Sequence, residues 1–443
     1  MMTNRWSAFF LTLVLPILFF ASRSLYAADE AGVRLTLDES VRLALENNID
    51  LQKAAITLNS AKRAKNSSWN LFLPSISLSG GISNTQPIKP EGDASSGWNA
   101  SGRASLGFAP DIPSQIQLLR ATYNSAEAAY IDAREKLKKE IAIAFYNLLA
   151  SQKNIEILRN NRDLLKTQYD ELEKRYRNGL ASELDMLNAQ VRYRQSEPKL
   201  RDALATVDVD TASFLLKVGM DAKTKIVLQG DVAVRELKTL SKDELVETYL
   251  YSRTDVKNQE YASKITKYNA FIAAARNLMP SLSVSESISL TEAIPSAQNM
   301  RASGTFSLRL SIPLSALIPG SSESNSVKTS YDNANLAGKT YENAVKTAEE
   351  DIRKKTTTLE SATESLEVEK LNQTITKRAY ELSVQGYNSG LVSQTDLQSA
   401  RQTLVDSQLA LIKAEIVYVQ SVYDLALALG LDIERFYALY AKN

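Results

Sequence analysis

Leu73-Pro-Ser-Ile-Ser-Leu-Ser-Gly-Gly-Ile-Ser83 returns in the second half of the chain as Met279-Pro-Ser-Leu-Ser-Val-Ser-Glu-Ser-Ile-Ser289. Six of the eleven positions are identical, and three more exchange one apolar residue for another. Both copies have a period of two. Ile76, Leu78, Gly80 and Ile82 alternate with serines and Gly81, and Leu282, Val284, Ile288 and Leu290 alternate with Ser281 to Ser289. Such alternation makes a strand with one apolar and one polar face. A second alternating run follows each copy: Leu106 and Phe108 against Arg103 and Ser105, then Phe306, Leu308, Leu310 and Ile312 against Thr305, Ser307, Arg309 and Ser311. Strands are therefore predicted over 72–84, 98–109, 280–291 and 302–313. Each is ~10–12 residues long, the length needed to cross a bilayer at a tilt. An ordinary sandwich strand with one wet face shows the same pattern. The sequence offers four such strands and no further sheet for them to pack on, which favours lipid on the apolar side. Glu286 is awkward on that face and is expected near an interface or at a bulge. Trp69 and Trp98 flank the first strand pair, as an interfacial aromatic girdle would place them.

Two further landmarks repeat in the same order. Asp38-Glu39 and Asp50 recur as Asp243-Glu244 and Asp255, and Tyr176-Arg-Asn-Gly-Leu-Ala-Ser-Glu-Leu-Asp185 recurs as Tyr387-Asn-Ser-Gly-Leu-Val-Ser-Gln-Thr-Asp396. The chain is a tandem duplication, with repeats at 28–218 and 242–430, a linker at 219–241 and a tail at 431–443. Each repeat reads as short helix, helix, strand, loop, strand, very long helix, turn, long helix. Thr36 with Glu39 three positions on has the form of a capping box for a helix over 38–47, and the next helix is predicted over 50–70. Long helical hairpins follow at 114–218 and 321–429. Their first helices, 114–178 and 321–385, span on the order of 100 Å at ~1.5 Å per residue. A globular domain of this size cannot enclose such elements, so an extended coiled-coil-like assembly is implied. Pro198 is expected to kink the returning helix of the first repeat alone.

Composition narrows the function. Arg5 and the apolar run Phe9 to Phe20, ending at Leu25-Tyr26-Ala27, read as a cleavable export signal over 1–27. The chain has 52 basic and 51 acidic residues, and Arg5 and Arg23 leave with that signal, so the mature charge is near zero. A nucleic-acid binder would need a basic stripe. With Cys 0 and His 0, Cys/His metal sites, thiol chemistry, disulfides and a Ser-His triad are excluded, and no cofactor is expected. Gly 16 and Pro 11 among 443 residues are few, which suits long unbroken helices. No second apolar run approaches ~20 residues, so membrane entry by the mature chain would require a β-barrel.

At the turns between long helices, Gly179 and Gly390 stand where a left-handed residue ends a helix. Ser182 and Ser393 then start the returning helices, with Asp185 and Asp396 at the third position. Capping chemistry alone accounts for this pattern. An exposed Leu180 or Leu391 beside a small Ser also reads as an anchor point for a helical partner.

Taken together, the export signal, the tandem halves, the Leu-Pro-Ser-x-Ser strand start and the Tyr-x-x-Gly-Leu-x-Ser-x-x-Asp hairpin resemble the TolC family of outer-membrane efflux channels. The resemblance covers 35–430. It implies an α+β membrane protein: a homotrimer in which each protomer gives four strands to one 12-stranded barrel above a long periplasmic tunnel of helices. A mixed equatorial belt would be drawn from the linker, the short helices and the tail. It further implies a passive duct for multidrug efflux or type I secretion in a Gram-negative-type outer membrane. An inner-membrane transporter (RND, ABC or MFS type) and a periplasmic adaptor (membrane fusion) protein would be the partners. The family's adaptor-docking motif maps onto Gly179, Leu180, Ser182, Gly390, Leu391 and Ser393; its tip tyrosine onto Tyr387; its inward aspartates onto Asp185 and Asp396. Val392 replaces the gate arginine of well-known members, and Ser399 replaces a second aspartate, so Arg175 or Arg177 is expected to supply the charge.

Three other classes compete. An enzyme needs convergent acid, base or nucleophile groups in a cleft, and neither His nor Cys is available. A periplasmic coiled-coil adaptor would show one hairpin flanked by Gly-rich β-domains, and a filamentous structural protein would lack the period-2 segments.

Overall fold

The computed structural model describes residues 33–86, 95–232, 234–294 and 300–442. The predicted export signal 1–27 and the middle of each predicted loop (85–97 and 292–301) lie outside these residues.

The order is β1 (Val33–Leu35), α1 (Leu37–Asn47), α2 (Ile49–Asn66), β2 (Ser75–Thr85), β3 (Ser95–Phe108), α3 (Ile112–Arg177), α4 (Glu183–Val218) and β4 (Ile226–Leu228). The second repeat follows as α5 (Lys242–Tyr249), α6 (Thr254–Leu278), β5 (Ser281–Ile294), β6 (Arg301–Ser311), α7 (Ser322–Asn388), α8 (Gln394–Ala428) and α9 (Ile433–Tyr440).

Strands β2, β3, β5 and β6 lie side by side in that order, antiparallel throughout, so the join between repeats (β3 with β5) is made like the two hairpins. The register never slips. Because a strand's side chains alternate, the unbroken register stacks like on like. Ser75, Ser105, Ser285 and Ser307 form one row across all four strands, and Ser79, Ser101, Ser289 and Ser303 form another. The hydroxyls pair within these rows, at 2.7 Å between Ser75 and Ser105, 2.8 Å between Ser79 and Ser101 and 2.7 Å between Ser289 and Ser303. On the other face Ile76, Leu78, Ile82, Ile288, Phe306, Leu308 and Leu310 are exposed, with nothing packed over them. Both outer strands, β2 and β6, have an unpaired edge among the described residues.

Glu286 sits on the apolar face between Ala104 and Phe306. The constant register excludes the expected bulge. Trp98 lies within β3 on the same face and donates from Nε1 to Glu292 at 2.8 Å. Trp69 is in a 3-10 turn, Ser68–Phe72, which ends the second helix at Asn66 rather than 70 and delays the first strand to Ser75.

Below the sheet the buried carboxylate of Asp111 fixes the start of α3 to the end of α6. Its Oδ2 accepts from Arg276 Nε at 2.5 Å and from Gln115 Nε2 at 2.7 Å. Helices α3 and α7 run for 66 and 67 residues, about 100 Å each at ~1.5 Å per residue. They pair with α4 and α8 as two antiparallel hairpins, and α3 also packs on α8. Helix α4 continues through Pro198.

The core is equatorial. Phe145 of α3, Phe214 of α4, Leu245 of α5, Tyr418 and Leu425 of α8 and Phe436 of α9 are buried together. The sequence reading missed a second sheet here: β1 pairs in parallel with β4 of the linker, Leu35 opposite Leu228. The tail closes the same region, since Lys238 N donates to Tyr440 O at 2.8 Å and Lys442 N to Glu236 O at 2.9 Å. Arg253, only 7 % exposed, clamps α6 to α7. Its Nη2 meets Asp255 at 2.7 Å and its Nη1 meets Asp351 at 2.9 Å.

Candidate functional site

The two hairpin tips are built alike, far from the sheet. Gly179 (φ 71°) and Gly390 (φ 77°) take the left-handed conformation. Leu180 N donates to Arg175 O at 2.8 Å and Gly179 N to Tyr176 O at 2.9 Å; Leu391 N donates to Gly386 O at 2.8 Å and Gly390 N to Tyr387 O at 3.0 Å. These are paired 6→1 and 5→2 bonds, the Schellman closure of a helix end. A hydrophobic residue in the position after the glycine commonly folds back onto its own helix. Here it points away: Leu180 is 76 % and Leu391 85 % exposed.

Beyond each leucine a serine starts the return helix. Asp185 N donates to Ser182 Oγ at 3.1 Å, and Ser182 Oγ donates to Asp185 Oδ2 at 2.7 Å. Ser393 and Asp396 reproduce both distances. The aspartates thus satisfy their own helix starts, in keeping with the positive end of the helix dipole. Both remain exposed. Asp185 also lines a shallow polar crevice between the hairpins, with Gln168 of α3, Arg192 of α4 and Gln394, Thr395 and Gln398 of α8.

Among the described residues of the single chain, Tyr387, Arg175 and Arg177 make no side-chain hydrogen bond or ion pair with Asp185 or Asp396. Arg177 Nη2 meets Glu173 of its own helix at 2.8 Å, a four-residue spacing. Arg175 is exposed. Val392 folds back over Gly386, where an added Cβ would lie 2.5 Å from its Cγ2.

A cation that sequence reasoning overlooked occupies the seam between hairpins. Arg401 of α8 is 5 % exposed. Its Nη2 donates to Asn161 O at 2.9 Å and its Nη1 approaches Gln168 Oε1 at 3.4 Å, while Gln398 Nε2 meets the same oxygen at 2.5 Å. No carboxylate faces it among the described residues, and burial pushes the guanidinium below its usual pKa. Its place in a polar helical stretch gave no hint of burial.

Long apolar stripes stay uncovered on the hairpins: Leu184, Leu187 and Val191 on α4, and Val368, Leu371, Ile375 and Leu382 on α7. Three- and four-residue steps put each set on one helix face. No group of three or more acidic residues is arranged to hold a metal ion among the described residues.

Solved structures share this architecture. The Campylobacter jejuni CmeC outer membrane channel superposes with a TM-score of 0.77 at 18 % identity, covering 91 % of this chain and 88 % of that one. The outer membrane protein VceC from Vibrio cholerae gives 0.72 at 17 %, covering 90 % and 96 %. The open state of the Neisseria gonorrhoeae MtrE outer membrane channel gives 0.73 at 18 %, covering 89 % of each. The outer membrane efflux protein family matches residues 41–216 and 245–431, one match for each repeat. The chain belongs to the outer membrane efflux protein family, whose members are channels and not enzymes.

Proposed function

We propose that three copies of this chain close their sheets into one 12-stranded barrel in the outer membrane, continued by a helical tunnel into the periplasm. The assembly passively conducts solutes delivered by an inner-membrane transporter through a periplasmic adaptor. The observation that carries this reading is the sheet, with one bare apolar face, one serine-rich face and two unpaired edges. A row of unpaired backbone groups is tolerated neither in lipid nor, on a long flat strand, in water. Pairing β6 of one copy with β2 of the next removes every edge. The apolar stripes on α4 and α7 fit the same arrangement, each covered by the neighbouring copy. The hairpin tips are the adaptor-docking surface, through Gly179, Leu180, Ser182, Gly390, Leu391 and Ser393. Asp185, Asp396, Tyr387, Arg175 and Arg177 surround the periplasmic mouth, where like carboxylates repel and must be compensated for the mouth to close. Efflux of solutes accords with the family's name; protein secretion through the same duct is the alternative outcome.

The test is direct. Detergent-extracted protein should migrate as a heat-modifiable trimer and insert single conducting pores into planar bilayers. A water-soluble monomer that inserts no pores overturns the reading.

A further inference from the structure

The polar face of the sheet is hydroxylated, but its charge has one sign. Position by position along β2, β3, β5 and β6, every described residue on that face is Ser, Thr, Gly, Asn, Ala or Arg. Its charges are Arg103, Arg301 and Arg309, all exposed. Neither acidic residue of the sheet is among them: Glu286 and Glu292 lie on the apolar face, the latter held by Trp98. None of the three arginines takes part in an ion pair among the described residues.

Register makes these arginines a staircase. Arg309 is level with Ser283 near the helical end of the sheet, Arg103 with Ser287 and Thr305 in the middle, and Arg301 with Thr291 at the far end. Successive steps are four residues apart, on the order of 13 Å along a strand. A solute passing over this face therefore meets one guanidinium after another. Between them are hydroxyls that largely satisfy one another, with no carboxylate to neutralise the field.

We infer that the lumen of the barrel is an anion-favouring passage, with Arg103, Arg301 and Arg309 of each copy as the residues that set the preference. This rests on the barrel proposed above. Walls of one charge sign in a narrow conduit concentrate counter-ions and repel co-ions. The substrate class it favours is solutes carrying net negative charge. Neutral hydroxyl rows suit such a role, since they donate hydrogen bonds to a passing anion without holding it as a fixed ion pair would.

The experiment is a reversal-potential measurement on single trimers in planar bilayers under a KCl gradient. The carboxylates at the tips favour cations, so all measurements are made on the Asp185→Asn/Asp396→Asn background, and the readout is the Cl⁻/K⁺ permeability ratio. Arg103→Ser/Arg301→Ser/Arg309→Ser should lower the ratio by roughly threefold in ~0.1 M salt, where the screening length is about 10 Å, and by much less in ~1 M salt, where it is about 3 Å. Arg103→Lys/Arg301→Lys/Arg309→Lys should keep the ratio. Pores whose ratio is unmoved by the serine variant overturn the inference while leaving the channel intact. A lysine variant that loses selectivity as fully as the serine variant also overturns it, because charge would then not be the cause. Protein that forms no pores in any version fails the channel reading instead.

Discussion

Replacing Leu391 with Asp tests whether the tips are docking surfaces or merely well-capped turns. The side chain is 85 % exposed in the protomer, so nearly all its apolar surface is available to a partner. Burying a leucine contributes about 1.5–3 kcal/mol, and ~2 kcal/mol corresponds to about a 30-fold change in an equilibrium constant. With the three tips of a trimer engaged together, the loss would be on the order of 6 kcal/mol, before the cost of desolvating the new carboxylate. The turn itself should survive, because the bond from residue 391 N to Gly386 O at 2.8 Å is made by backbone. Leu391→Asp should therefore yield trimers in normal amount that fail to retain the adaptor in a pull-down and fail to export an efflux dye from cells. Leu391→Met, which keeps apolar area, should retain both activities. Leu180→Asp should give a separate and comparable defect. Wild-type dye export by Leu391→Asp trimers would refute the reasoning and leave the hairpin as capping chemistry alone.

Gly386→Ala should be destabilised at the tip by about 1–3 kcal/mol, because its Cβ meets Val392 Cγ2 at 2.5 Å. Adding Val392→Ala should recover most of that loss, and limited thermolysin cleavage at the tip measures both; additivity would exclude the contact. The bonds from Arg253 outweigh burial and hold the Asp255 carboxyl below its usual pKa. That stabilisation is present above the unfolded value of about 3.9 and is lost as pH falls through the lower folded value. Arg253→Met should accordingly lower the apparent melting temperature at pH 7 and narrow its gap to wild type toward pH 3; a constant gap argues against the clamp. Arg401→Met should leave that temperature unchanged or higher, because a buried cation without a carboxylate costs several kcal/mol in desolvation. A marked fall would mean that Asn161 O and Gln168 compensate it fully. If a hydrogen bond from the Tyr387 hydroxyl holds the mouth closed across the assembly, Tyr387→Phe should raise resting conductance, and Asp396→Asn should weaken block by polyvalent cations. Unchanged traces in both would leave the aspartates as helix caps.

The duplication, the period-2 strands and the long helices were legible because each rests on local patterning. Serine at every second position admits one backbone conformation and two faces, and the near absence of Gly and Pro leaves α3 and α7 nothing to stop them. The tip glycines were legible for the same reason, since a left-handed residue is a local demand. What escaped the sequence depends on partners distant in the chain. A three-residue strand such as Val33–Leu35 is too short to show a period, and its mate arrives only at Ile226. Arg401 resembles its exposed neighbours until α3 is laid against it. Val392 gave no sign of its contact with Gly386, because only the packed turn brings the two together. Arg177 meets Glu173 one helical turn away, a pairing that the four-residue spacing already allowed.

The pairing of β1 with β4 bears on the order in which the chain becomes whole. Leu35 has its partner strand in the linker between the repeats. A polypeptide emerging amino-terminus first must hold that opening strand unpaired until the whole first hairpin has appeared. Helices α3 and α4 bring together residues adjacent through a tight turn, so they form early, at little loop-closure cost. Sealing the first repeat waits for Ile226–Leu228. The equator is thus a seam timed in two stages: the linker seals the first repeat through Ile226–Leu228, and the belt closes only when the tail arrives, with Lys238 N on Tyr440 O and Lys442 N on Glu236 O.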